Sequence, residues 1–296
     1  MLTWRPTKPA PEQAARELVS VAMHLHTTYQ DVFLWRGQTN TAWGLTPGMH
    51  SRVTGSTLPH TEATSSRATA HLLSTARAVG VHEYNGAKLP DLALLAHLQH
   101  YGAATPLLDV STDPLIALWM AAFKSPERPG NGDDVSGALF GIVKPEDSHW
   151  IKSLDSRKWD DSPLSISSNL DGRVWWYQAP DVTERLRIQR GSFLLGPLQA
   201  GRPDGTTLPL VVDPAGEKNW VEDRITSRGK PGAPARRTTD VFKLEIPAAS
   251  KQFIRKLLIE RSGLTVAAIY PVPWHRPYIE EFSRSYDRCR PLGLDL

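Results

Sequence analysis

A single cysteine, Cys289, stands in a chain of 296 residues, so no internal disulfide can staple it. A disulfide framework is thereby excluded, and the expected compartment is the reducing cytoplasm. Long apolar runs are also missing. Nowhere does the sequence approach the roughly 18 apolar residues of a membrane span, so no membrane partner is expected. The opening residues MLTWRPTKPAPEQAARE lack the apolar core of a secretory leader. A strong charge of either sign is lacking too: 34 Lys and Arg against 31 Asp and Glu leave a net +3 without one long basic tract. That balance permits a nucleic-acid partner without requiring one. No GxGxxG fingerprint, Walker loop, cysteine-based metal set or internal repeat occurs, which removes the signatures of dinucleotide-fold dehydrogenases, P-loop enzymes and zinc ribbons.

What remains is a globular chain with 40% hydrophobic residues and 10 Trp, enough for one large or two small cores. The stretch HLQHYGAATPLLDVSTDPLIALWMAAF, from His97 to Phe123, organises it. A helix from about residue 91 is expected to stop at Gly102, which suits a position of positive φ. Residues 106–110 read as a short buried strand carrying one carboxylate, Asp109. Asp113 and Pro114 then read as cap and first turn of a helix that is apolar all round and therefore buried. The polar groups of this stretch are His97, Gln99, His100, Tyr101, Asp109, Ser111 and Thr112. Burying such groups is costly unless each is paired, so either capping or a ligand site must account for Asp109 and Ser111. His97, His100 and Asp109 make an incomplete zinc set, and no metal is expected.

Elsewhere, residues 11–29 and 61–79 show helical spacing of apolar residues. Val32-Phe33-Leu34-Trp35 reads as a strand delivering Arg36 at its end beside Gly37, suited to clamping a phosphate or carboxylate, or to pairing with a buried acid. Strands are expected at 137–143, 173–177, 242–246 and 266–269, and a helix at 248–261. Trp175-Trp176-Tyr177 could stack a base, though sheet packing is the commoner use. Arg224, Arg228, Lys230, Arg236 and Arg237 give residues 201–239 the composition of a flexible basic loop. Short strands with interspersed helices and no βαβ rhythm predict an α+β fold.

The central stretch resembles the signature of the FRG domain family, approximately Q-H-Y-G-x-P-T-x-L-L-D-x-[ST]-x-x-P-x-x-A-L-x-x-A. Phe33-Leu34-Trp35-Arg36-Gly37-Gln38 fits the family's namesake element, and Arg187-Ile188-Gln189-Arg190-Gly191-Ser192-Phe193 fits a later one. Ala104-Thr105-Pro106 and Val110 depart from the pattern. On this resemblance residues 31–200 form an FRG-like core domain. Residues 1–30 form a helix packed on it, 201–239 the basic loop, and 240–296 a strand-helix-strand completing it. By fold-level analogy the resemblance reaches the ADP-ribosyltransferases, a split β-sheet core with surrounding helices. It then implies NAD as substrate, held by Arg36, Gln38, His100, Ser111 and Thr112, with Asp109, Gln189 and Tyr101 at the reaction centre. Asp109 or Glu184 would stabilise an oxocarbenium-like transition state. These residues are expected to converge on one cleft. The family also implies a toxin or phage-defence effector, with DNA or RNA favoured over protein as acceptor and an antitoxin protein as a partner. A non-catalytic nucleotide-binding module, or a nuclease-like toxin using His100, Tyr101 and Asp109, stays open beside it.

Overall fold

In the computed structural model the described residues are 1–84, 86–123, 133–160, 164–180, 184–212, 239–270 and 277–288. The chain is a mixed α+β protein. It divides into two compact units, each gathered from three chain segments. The first comprises residues 1–43, 110–144 and 210–270; the second comprises 44–109, 145–209 and 271–296.

In the first unit β1 (Leu2–Trp4) runs parallel to β10 (Val241–Ile246), which is antiparallel to β6 (Gly137–Val143), itself antiparallel to β2 (Phe33–Gln38). β5 (Leu108–Ser111), within which the chain passes from the second unit to the first, meets β2 through the pair Trp35 and Ser111. Side chains alternate across such a sheet. Phe33, Trp35, Leu139, Phe242 and Leu244 turn to one face and pack with α1 (Pro11–Thr28), α5 (Pro114–Ala122) and α7 (Lys251–Ser262). α1 begins with Pro11 and buries Ala14, Leu18, Val21 and Leu25, the spacing of one helical stripe. α5 sits so close to β2 that a Cβ on Gly37 would fall on the carbonyl oxygen of Ala117. Only glycine fits there.

α5 starts as the sequence indicates. The Asp113 carboxylate accepts from the Leu115 N–H at 2.8 Å, Pro114 opens the first turn, and the Ser111 hydroxyl accepts from the Asp113 N–H at 3.0 Å. Two expectations fail nearby. Arg36 does not end its strand, because pairing with β6 carries β2 on to Gln38. Residues 266–269, expected as a strand, form the short helix α8 (Val266–Ile269), whose Ala268 N–H is capped by the Thr265 hydroxyl.

In the second unit α2 (Gly48–Thr54), α3 (Glu62–Ala78) and α4 (Asp91–His100) precede β5, with the hairpin β3 (Glu83–Tyr84) and β4 (Ala87–Lys88) between α3 and α4. β7 (Trp150–Ile151), β8 (Trp175–Tyr177), α6 (Glu184–Ile188), β9 (Gly191–Leu195) and α9 (Pro277–Arg288) complete it. β8 is parallel to β7 and antiparallel to β9. Leu72, Leu73, Leu92, Leu95, Leu98, Ile151, Tyr177, Phe193 and Leu195 share one core. Buried Asp91 ties α4 into that core: it pairs with Arg77 and its Oδ2 accepts from the Trp159 N–H at 2.7 Å. α4 ends on Gly102 at φ 103°, with Gly102 N–H to Gln99 and Ala103 N–H to Leu98, the paired bonds of a left-handed cap.

The basic positions 224, 228, 230, 236 and 237, like the polar run from Lys124 and the Cys289 thiol, lie outside the described residues.

Candidate functional site

The left-handed stop at Gly102 sets the path of the chain beyond α4. It turns the backbone so that Thr105 and then Asp109 come back to the last turn of the helix, where Gln99 and His100 project. Gln99 is the hinge of the cluster: its amide Nε2 donates to Asp109 Oδ1 at 2.7 Å, and its Oε1 accepts from the buried Thr105 hydroxyl. An amide with both ends engaged cannot flip without losing both bonds. Asp109 itself is exposed rather than buried as expected, so its carboxylate is held at a surface and carries no burial cost.

His100 is half-buried, with its ring centroid 6.3 Å from that of Phe193. Burial, first, and then the Arg185 guanidinium push its imidazole down to about 4, outweighing the opposite pull of Asp109. It is therefore uncharged at neutral pH and serves as a hydrogen-bonding group or a base. Arg185 comes from α6, whose last turn is closed by the Gln189 N–H donating to the Arg185 carbonyl at 2.9 Å. Behind His100 lies fully buried His97, edge-on to Tyr84 at 5.5 Å and to Tyr101 at 5.2 Å. These aromatic contacts make His97 a packing residue. Among the described residues no group of three His, Cys, Asp or Glu could hold a metal ion.

Of the residues singled out in the sequence, His100, Tyr101, Asp109 and Gln189 thus belong to the second unit. Arg36, Gln38, Ser111 and Thr112 belong to the first. There the pairing of Trp35 with Ser111 turns the Ser111 side chain to the helix-covered face, while Arg36 and Gln38 alternate to the other. On that other face Arg36 lies in register with Phe140 and, one strand on, Lys243; Gln38 lies in register with Ala138 and Glu245. Thr112 comes directly after the strand and is exposed. Glu184 is an exposed residue at the start of α6, 3.6 Å from Arg187, and is solvated rather than sited.

Residues 31–129 match the FRG domain model. The chain is similar to that family over this stretch. Its matched part is 99 of 296 residues, from 31 to 129, and leaves the segment from Arg187 to Phe193 outside. Neither the curated proteins nor the solved structures contain a match to this chain. The FRG signature now has a physical reading at one point: Gln99, Thr105 and Asp109 are one hydrogen-bonded relay, with His100 beside it. Sequence reasoning counted Gln99 only as a polar residue and missed Thr105 and Arg185. The signal for Thr105 was a hydroxyl two residues ahead of a buried apolar pair, a position from which it can also receive the Leu107 N–H, 3.2 Å away.

Proposed function

We propose that the protein is an NAD-dependent ADP-ribosyltransferase-like effector, of the toxin or phage-defence kind, that modifies a macromolecule, with nucleic acid favoured over protein. The single observation that carries this reading is the relay from Thr105 through Gln99 to the exposed Asp109, next to the uncharged His100 and the cationic Arg185. When the bond between nicotinamide and ribose breaks, nicotinamide leaves with the bonding pair and positive charge grows on the ribose. A fixed carboxylate lowers that barrier only if it is already in place. Gln99 and Thr105 keep Asp109 there without solvent rearrangement.

Neutral His100 is suited to take the proton that the acceptor's nucleophile loses as it attacks the ribose carbon, and Arg185 is suited to a phosphate of the dinucleotide. Tyr101 would border the ring-binding side, and the Gln189 side chain would polarise the ribose or orient the acceptor. The role of Arg36 and Gln38 as phosphate anchors rests on the FRG resemblance, and an ADP-ribosyltransferase-like split sheet is the fold that goes with the proposal. An antitoxin partner belongs to the same reading.

A nuclease is the second reading, favoured by one observation: an imidazole held uncharged at neutral pH beside a cation suits in-line attack on a phosphodiester. The test is incubation of the protein with labelled NAD and separate DNA, RNA and protein pools, with Asp109→Asn, Gln189→Ala and Arg36→Ala alongside. Label on nucleic acid that is lost with Asp109→Asn is expected. Label on protein alone would overturn the acceptor, and unlabelled but degraded nucleic acid would replace the transferase with the nuclease. Calorimetry that shows no heat with NAD but heat with a different nucleotide would reduce the site to a binding module.

A further inference from the structure

Two of the three aromatic residues of β8 pack into the sheet's core, the commoner use of such a cluster. Trp175 and Tyr177 turn into the core, where the Trp175 indole N–H donates to the Leu170 carbonyl at 3.0 Å and the Tyr177 hydroxyl to the Ser153 carbonyl at 3.1 Å. Trp176 alternates to the opposite face. There it meets Trp150, its register partner on β7, ring centroids 6.1 Å apart and planes within 29°. β7 pairs with β8 on one side, and Trp150 is 44% exposed. An indole stacked on a second indole is held rigid, with its outer surface in water.

Glu146 and Asp147 precede β7, and exposed Lys152 follows directly after it, as exposed Gln178 follows β8. Further on, Asp155 pairs with Arg157, at 2.7 Å and 3.0 Å, and also feels the charge of Lys152, while exposed Lys158 lies beyond them. Just before β8, exposed Arg173 places Nη1 2.9 Å from Nε2 of His149, whose ring centroid lies 5.0 Å from that of Trp175. An aromatic platform with cations near it binds single strands with little sequence preference.

We infer that Trp150, stacked on Trp176 and flanked by Lys152, is a docking site for a base of a single-stranded nucleic acid. The inference deepens the reading above, on which the choice of nucleic acid as acceptor rests, by assigning where the acceptor is gripped. Trp150 lies outside the FRG match and outside every motif noted in the sequence.

The test is fluorescence anisotropy of the full chain with labelled 12-mers of oligo(dT) and oligo(U) at two salt concentrations, without NAD. Binding to one or both is expected, weakened about tenfold by Trp150→Ala and largely retained by Trp150→Phe. Lys152→Gln is expected to reduce the slope of log affinity against log salt by about one. A preference between the two oligonucleotides identifies DNA or RNA as the source of the strand. No binding to either, or binding that Trp150→Ala leaves unchanged, overturns the site. Self-association of the wild type in sedimentation that Trp150→Ala abolishes also overturns it, by making the face a protein contact. Because NAD is absent, loss of this site leaves the transferase chemistry standing, and failure of the labelling experiment leaves the oligonucleotide result standing.

Discussion

The two units spend their polar residues differently. In the first, cations are turned inward onto backbone: Lys251 Nζ donates to the Thr39 carbonyl at 2.7 Å, and Arg255 Nη1 to the Ala122 carbonyl at 2.7 Å while also pairing with Asp133. They lock the end of β2 and the end of α5 against a core of Phe33, Trp35 and Phe242, whose rings meet edge to face. In the second, the relay from Thr105 through Gln99 to Asp109 joins side chains to one another, and burial moves His50, His100 and Glu62 far from their ordinary values. Backbone-directed bonds fix a shape, whereas side-chain relays hold groups whose charge and proton can change. The contrast argues that the first unit is the rigid frame and the second carries chemistry.

The sharpest way to break that contrast is Gly37→Ala. The new Cβ would collide with helix backbone rather than with a side chain that can move, so a loss of about 3 kcal/mol or more is expected in urea denaturation. A loss under about 1 kcal/mol would mean that α5 shifts easily and the frame is not rigid. In the second unit Asp109→Asn should act the other way round. The residue is exposed, so stability should change by less than about 1 kcal/mol, while turnover of labelled NAD falls about 10²-fold to 10³-fold. Equal turnover in the variant would remove Asp109 from the chemistry.

A smaller effect separates the units by pH. In the second unit burial pushes His50 down to about 3 and His100 down to about 4, and pushes Glu62 up to about 7 although its Oε2 accepts from the Leu198 N–H at 2.6 Å. Between pH 6.5 and 4.5 the unfolded chain takes up protons on two histidines that the folded chain refuses. The folded chain keeps one on Glu62 that the unfolded chain releases. The net is one extra proton on the unfolded side, so stability falls as pH falls, by about 1.4 kcal/mol per pH unit. Glu62→Gln removes the opposing group and should steepen the slope to about 2.7 kcal/mol per pH unit, read from urea titrations at pH 5.0, 5.5 and 6.0. Identical slopes in the two proteins would contradict the assignment.

A matching test lies on the alkaline side in the first unit, where burial lowers Lys251 to about 8 against the pull of Asp133 and Asp134. Between pH 8 and 10.5 the unfolded chain holds a proton there that the folded chain has lost, so stability should rise with pH across that window. Lys251→Met should flatten the rise, and an unchanged alkaline profile would show that the ammonium is solvated.

Much of this frame was legible in the sequence because local rules act within one element. Pro11, Asp113 with Pro114, and Gly102 each mark a helix end that needs no knowledge of distant residues. The failures came where a distant partner decides. β1 was not foreseen, since Leu2, Thr3 and Trp4 become a strand only by pairing with β10. Val266 to Ile269 has the β-branched look of a strand, but its backbone is taken by the Thr265 cap. At the candidate site Asp109 and His100 were visible as motif residues. Their linkage through Gln99 and Thr105 was not, because it depends on the turn at Gly102 bringing Thr105 back to the helix. Trp176 was visible as part of an aromatic cluster able to stack a base, but its pairing with Trp150, 26 positions earlier in the chain, was not.

The pairing of β1 with β10 also has a consequence for the time at which the frame can exist. Leu2 and Phe242 are neighbours across a parallel ladder, yet 240 positions separate them. At a ribosomal rate of roughly 5 to 20 residues per second, β1 waits about 12 to 48 s for the strand it needs, while α3, α4 and the Asp109 relay have long since been synthesised. During that interval the apolar face of Leu2 and Trp4 is unsheltered by its strand partner. Vectorial synthesis therefore completes the residues proposed for chemistry before it completes the sheet of the first unit.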